Sequence, residues 1–182
     1  MATPTGDVDM KTLGFYRLST LRTAILGVLM ALQLILGRFS FSPTTFFRFS
    51  FTFIATVLMA VWVGPIWASV ASALTDIVGT LIMGSPYFVG FTISAILGAF
   101  IYGVFLYDQR VSLVKVIIAQ VLISVIVNLV LNTLWLTLMY KTPFWALLPA
   151  RGLKELVSAP IQIFIIYIIL KNTTIRTLGR RL

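Results

Sequence analysis

The stretch Asn128-Leu-Val-Leu-Asn132-Thr-Leu-Trp135 decides the fold. It places two carboxamides one helical turn apart, and an indole one turn further, inside an apolar run from about Val111 to Tyr140. On a 3.6-residue period Gln120, Ser124, Asn128, Asn132 and Trp135 share one narrow face, and Leu, Ile and Val fill the others. The apolar sides suit lipid. The polar stripe has no reason to face lipid and must border an interior.

Composition agrees with that reading. Of 182 residues, 59 % are hydrophobic and 10 % charged, with a mean hydropathy of +1.04, whereas soluble domains run at about 45–50 % apolar and about 25 % charged. The sequence reads as an all-α integral membrane protein with a short tail over 1–20, a transmembrane domain over 21–171 and a basic tail over 172–182. Apolar runs reach almost to the C-terminus, so no soluble domain is expected behind a signal peptide. The chain has no Cys and no His, which excludes disulfides, thiolate nucleophiles, zinc or haem ligation by those groups and the usual neutral-pH base. The net charge of +9 is spread over the loops between apolar runs rather than clustered on a soluble face. It points to membrane topology and anionic lipid, not to nucleic acid.

Six spans are predicted, over about 21–36, 49–63, 65–83, 88–107, 111–140 and 151–170. The first carries Thr23, Gly27 and Ala31 at four-residue spacing, a small-residue ridge that serves either internal packing or the docking of a partner helix. The segment from Gly37 to Phe49 holds Arg38 and Arg48 among five phenylalanines and reads as a loop, either an aromatic belt anchor or a cap over a ligand. In the third span Ser69, Ser72, Asp76 and Thr80 share a face. A carboxylate at mid-span costs about 2.5–3.5 kcal/mol on insertion scales, so Asp76 faces a cavity or a partner, as a ligand contact or in a structural pairing. The fourth span has two small-residue ridges, Gly90-Ser94-Gly98 and Ala95-Ala99-Gly103, which call for close neighbours on two sides. In the sixth, Arg151, Glu155, Ser158 and Gln162 align.

With both termini cytoplasmic, Lys11, Arg17, Arg22, Arg110, Lys115, Lys171, Arg176, Arg180 and Arg181 lie inside, nine of the fourteen basic residues. Arg38, Arg48, Lys141, Arg151 and Lys154 lie outside, so the positive-inside rule selects this orientation. Those five gather near the outer ends of the polar stripes. If the stripes converge they make a pocket with carboxamides, one carboxylate, aromatic rings and cations. Such a set suits a flat, amide-bearing heterocycle with an acidic tail. One Asp is too few for a metal site.

Three segments also carry a family resemblance. Tyr87-Phe-Val-Gly90-Phe-Thr-Ile-Ser94-Ala95 with Gly98, Tyr102 and Gly103, then Leu131-Asn132-Thr-Leu-Trp135, then Arg151-Gly-Leu-Lys154 with Pro160, resemble the folate-specific substrate-binding subunits (S components) of energy-coupling factor (ECF) transporters. Val89 stands where proline is expected in that family, and Gly27 and Ala31 stand for an alanine pair. The resemblance implies a six-helix S-component bundle in the bacterial plasma membrane. It implies high-affinity capture of folate from outside and delivery through a transmembrane coupling subunit and two cytoplasmic ATPases. It further implies that the chain is not an enzyme and carries no cofactor, with ATP used by the partner subunits. No phosphate-cradling Gly-rich Lys-Ser/Thr loop occurs in the sequence. On this footing Asn128, Asn132 and Asp76 meet the pterin edge. Trp135, Tyr87 and the loop phenylalanines sandwich the ring, and Arg151 or Lys154, helped by Arg38 or Arg48, pairs with the glutamate carboxylates. Thr23, Gly27 and Ala31 become the partner-docking ridge. The alternatives are an S component for thiamin, riboflavin or a queuosine precursor, a membrane enzyme, and a non-transport assembly subunit.

Overall fold

The computed structural model describes residues 18–39, 41–44, 47–108, 112–173, 175 and 179, with backbone alone between 41 and 49. Most of the two predicted tails, and with them Lys11, Arg17, Arg176, Arg180 and Arg181, lie outside the described residues, as does Arg110.

Helix α1 (Thr20–Arg38) opens on Ser19, whose Oγ accepts from the Arg22 N–H at 3.2 Å and so caps one of the orphan donors of the first turn. The predicted loop after it contains a hairpin instead. Strand β1 (Phe41–Thr44) pairs antiparallel with β2 (Phe47–Phe49), with Phe41 opposite Phe49 and Thr44 opposite Phe47. The alternation of Phe39-Ser40-Phe41-Ser42 is the period-two signal of a strand. Pro43 is tolerated because each strand of a two-stranded ribbon is an edge.

Helices α2 (Thr52–Val63) and α3 (Pro65–Ile82) meet at the Gly64-Pro65 turn, with Pro65 in the first turn of α3, where its missing N–H costs nothing. At 12 residues, α2 is about 18 Å long, shorter than a hydrocarbon core of about 30 Å. The predicted second span is therefore a short apolar helix continued by non-helical chain at Ser50 and Phe51. Irregular backbone at that depth is sustainable where it borders a cavity rather than lipid, and both residues line one.

Helix α4 (Val89–Leu106) packs most extensively on α3. A side chain at Gly103 would place its Cβ 2.3 Å from Pro65 Cα, so only glycine permits this crossing. Helix α5 (Leu113–Tyr140) is continuous over 28 residues, but Ile123–Leu131 is π-helical. Helix α6 (Phe144–Lys171) also runs for 28 residues and begins seven residues before the predicted sixth span, with Pro149 and Pro160 inside it. Pro143, extended, starts this helix. Its exposed first turns accommodate Pro149, although that proline removes one i→i−4 bond.

Among the described residues α1, α3, α4, α5 and α6 are long and apolar enough to cross a membrane. Large apolar side chains such as Val28, Leu81, Val114, Leu156 and Phe164 are exposed, as lipid-facing positions are. The buried core is asymmetric along the bundle. It is built from Leu26 and Leu29 of α1, Val57 to Val63 of α2, Ala68 and Ala71 of α3, Ala99 to Leu106 of α4, Val116 to Val127 of α5, and Ile166 and Leu170 of α6. These are the halves of the helices remote from the hairpin. At the hairpin end the same helices diverge around a cavity.

Candidate ligand-binding site

The cavity measures about 780 Å³, within the range of about 300–1,000 Å³ typical of small-molecule sites. All three polar stripes contribute to its wall: Ser72, Asp76 and Thr80 from α3, Asn128 and Asn132 from α5, and Arg151, Ser158 and Gln162 from α6, with Lys154 beside them.

On the α3 side, Asp76 accepts a hydrogen bond from Thr92 Oγ1 to Oδ2 at 2.8 Å. Thr92 is 3.0 Å from the Tyr87 hydroxyl. Next to Asp76 in the chain, Thr75 donates to Gln33 Oε1 at 2.8 Å, and Gln33 Nε2 donates to Thr56 at 3.2 Å. Gln33, which lines the cavity, thus ties α1, α2 and α3 together.

Opposite stands a charged cluster. Arg151 Nη2 donates to the Asn128 carbonyl at 3.2 Å, Asn128 Nδ2 donates to Glu155 Oε2 at 3.2 Å, and Lys154 Nζ lies 3.1 Å from Glu155 Oε1. Two cations stand beside one carboxylate here, of which Lys154 pairs with it, so this wall has positive excess, while Asp76 marks the other wall as negative. Asn132 Nδ2 donates to Asn128 Oδ1 at 3.4 Å. Among the described residues Asn132 Oδ1 has no hydrogen-bond partner, and neither do Ser72 Oγ and Ser158 Oγ. These buried polar atoms on the cavity wall are suited to a polar ligand.

The π-helical turn sets what α5 presents. The Asn132 N–H donates to Val127 O, five residues back, so the helix is wider here than an α-helix and residues beyond it are rotated from the α register. The outcome is a split stripe. Asn128 and Asn132 line the cavity and Trp135 does not. The Trp135 indole N–H donates to Ser94 at 3.0 Å and its ring stands 5.9 Å from Phe88. Phe88 and Phe91, edge to face at 6.2 Å, reach the cavity from this side, and Phe51, Phe53, Tyr102 and Tyr140 also line it. Gln120 lies below the floor, fully buried, bonded to Tyr102, Gln162 and Ser124.

Of the remaining sequence candidates, Tyr87 is half exposed and touches the site only through Thr92. Arg38 is exposed at the end of α1 and does not line the cavity. Arg48 lies on β2 with its side chain outside the described part. Thr23, Gly27 and Ala31 all lie on the exposed face of α1, and a Cβ at Gly27 would meet nothing within 4 Å. Sequence reasoning missed Gln33, Phe88, Phe91 and Thr92. Gln33 was detectable as the lone carboxamide of the first span, whereas Thr92 has no local signal.

The family profile for the substrate-specific component of ECF transporters matches residues 21–170. The chain belongs to that family. Relatives of this S component include the folate transporter FolT of Leuconostoc mesenteroides subsp. mesenteroides, 36 % identical over 172 residues, covering 91 % of this chain and 92 % of that one. The folate transporter FolT of Clostridium novyi is 36 % identical over 143 residues, covering 78 % and 83 %. A crystal structure described as FolT bound with folic acid superimposes with a TM-score of 0.78 at 36 % identity, covering 90 % of this chain and 95 % of that one. The all-helical membrane bundle is thus that of an S component, a multi-pass transporter subunit of the bacterial plasma membrane and not an enzyme.

Proposed function

We propose that this S component binds folate in the cavity at the hairpin end, captures it from outside the cell and delivers it through the energy-coupling module. The observation that carries this reading is the polarity of the cavity, with Asp76 on one wall and Arg151 and Lys154 on the other. In a chain whose FolT relatives match it over most of its length, that polarity fits the two ends of folate. The pterin is flat, with adjacent N–H donors and a carbonyl; the glutamate tail is dianionic. Asp76, Asn128 and Asn132 satisfy the pterin edge. Phe88 and Phe91 flank its ring, with Trp135 behind Phe88 and Tyr87 joined to the site through Thr92. Arg151 and Lys154 take the carboxylates, and Arg38 and Arg48 lie at the same end of the bundle. Each buried partner is worth roughly 1–3 kcal/mol, about tenfold to a hundredfold in affinity.

Titration of the purified protein with folic acid, thiamin and riboflavin tests this. Folic acid binds tightly and the other two do not, and alanine at Asp76, Asn132 or Arg151 weakens folic acid tenfold or more. Equal affinity for the three vitamins refutes folate specificity, and unchanged affinity in all three variants removes the site from this cavity.

The partners in this reading are a transmembrane coupling subunit and two cytoplasmic ATPases that hydrolyse ATP. The exposed Thr23-Gly27-Ala31 face of α1 is their docking surface. A tryptophan at Gly27 has room within the protein, so the Gly27→Trp variant keeps folate binding and loses co-purification with the coupling subunit. Retained co-purification would place docking elsewhere.

A further inference from the structure

Thr92 lies in the first turn of α4, buried, and does not itself line the cavity. A threonine hydroxyl carries one proton, and an ionised carboxylate only accepts. The Thr92 proton is therefore committed to Asp76 Oδ2, 2.8 Å away. In the 3.0 Å contact with Tyr87, Thr92 Oγ1 must then accept and the Tyr87 hydroxyl must donate. Two hydroxyls of fixed sense thus run from the turn before α4 to the carboxylate on the cavity wall, each strengthening the next. Asp76 and Thr92 sit on different helices, α3 and α4, so the contact fixes the carboxylate against rotation about its own side chain. Tyr87 holds Thr92 from the opposite side.

We infer that Thr92, backed by Tyr87, is a positioning residue for ligand recognition. It orients the Asp76 carboxylate toward the adjacent amino and ring N–H donors of a 2-amino-4-oxo heterocycle. The Tyr87 contribution is its hydroxyl and not its ring. This rests on the proposed reading that Asp76 contacts the ligand.

The test uses the purified full-length chain with two probes, folic acid and its analogue carrying methyl in place of the 2-amino group. Thr92→Val removes the hydroxyl with little change of shape and weakens folic acid about tenfold. Thr92→Ser restores the hydroxyl and the affinity. Tyr87→Phe keeps the ring and still weakens binding, about threefold. Asp76→Asn weakens folic acid at least as much as Thr92→Val, and the Val substitution adds nothing in that background, because the carboxylate it orients is gone. The methyl analogue, which keeps the ring N–H and lacks the amino donor, binds wild type more weakly than folic acid does and loses less affinity than folic acid on Thr92→Val. Melting temperatures confirm that each variant is folded, and Tyr87→Phe, at a half-exposed position, carries the test if Thr92→Val is unstable. Wild-type affinity in Thr92→Val, or a Tyr87→Phe variant that binds normally while Asp76→Asn is weakened, overturns the positioning role and leaves the site intact. Wild-type affinity in Asp76→Asn overturns the contact itself and this inference with it.

Discussion

Gly90 determines how closely α4 approaches the indole behind the cavity. A Cβ there would lie 2.4 Å from Trp135 Cδ2 and 2.6 Å from Phe88 Cε1, so one or both rings must shift to admit it. Gly90→Val therefore pushes Trp135 off Ser94, where its N–H now bonds at 3.0 Å. Overpacking of this kind costs about 1–3 kcal/mol. The expected outcome is a lower melting temperature in detergent together with weaker folate binding, with a smaller effect for Gly90→Ala. A variant as stable as wild type would mean that the rings relax freely. At this scale the sequence was informative about type and silent about partner. The Gly90-Ser94-Gly98 ridge announced a close neighbour, but that the neighbour is Trp135, 41 residues from Ser94, depends on how α4 and α5 cross. Gln33 escaped notice because one polar residue in a span makes no stripe.

Among the elements, α5 departs furthest from what periodicity describes. A strict 3.6-residue count places Gln120, Asn128, Asn132 and Trp135 together, and the π-helical Ile123–Leu131 separates them into floor, wall and support. Widened turns carry an extra residue relative to an α-helix and recur at functional sites. Inserting one alanine after Leu131, beyond the wide turns, turns the following residues by about 100° and moves Asn132 off the cavity wall. Folate binding is then lost while the protein still inserts and elutes as a single species. Full binding by the insertion variant would show that the direction in which α5 presents Asn132 does not matter. The hairpin and the early start of α6 are misreadings of another kind. The strand alternation from Phe39 onward was present in the sequence but hidden within a run of aromatics, and the sixth span was expected to start only at about 151, whereas α6 begins at Phe144 and passes through Pro149.

For the molecule as a whole, orientation is the property that ties the cavity to transport. The chain has no cysteine, so single-cysteine variants report on sidedness without background. Lys141 and Asp108 are both exposed, at opposite ends of the bundle. With the cavity opening outward, Lys141→Cys reacts with a membrane-impermeant maleimide in intact cells, and Asp108→Cys reacts only after permeabilisation. The reverse pattern would turn the protein over and place the cavity mouth in the cytoplasm.

Lipid is a uniform apolar solvent, so any polar side chain in a span must turn inward whatever its partners are. For that reason the sequence alone determined the membrane class, the approximate helices, the three interior stripes and the acid and cations at their ends. Family resemblance, also read from residues, supplied the expected ligand. Tertiary structure decided which groups meet. The Thr92 proton on Asp76, the Arg151 guanidinium on the Asn128 carbonyl and the indole on Ser94 are contacts between different helices. Periodicity along one helix cannot set the crossing geometry or the widened turn on which those contacts depend.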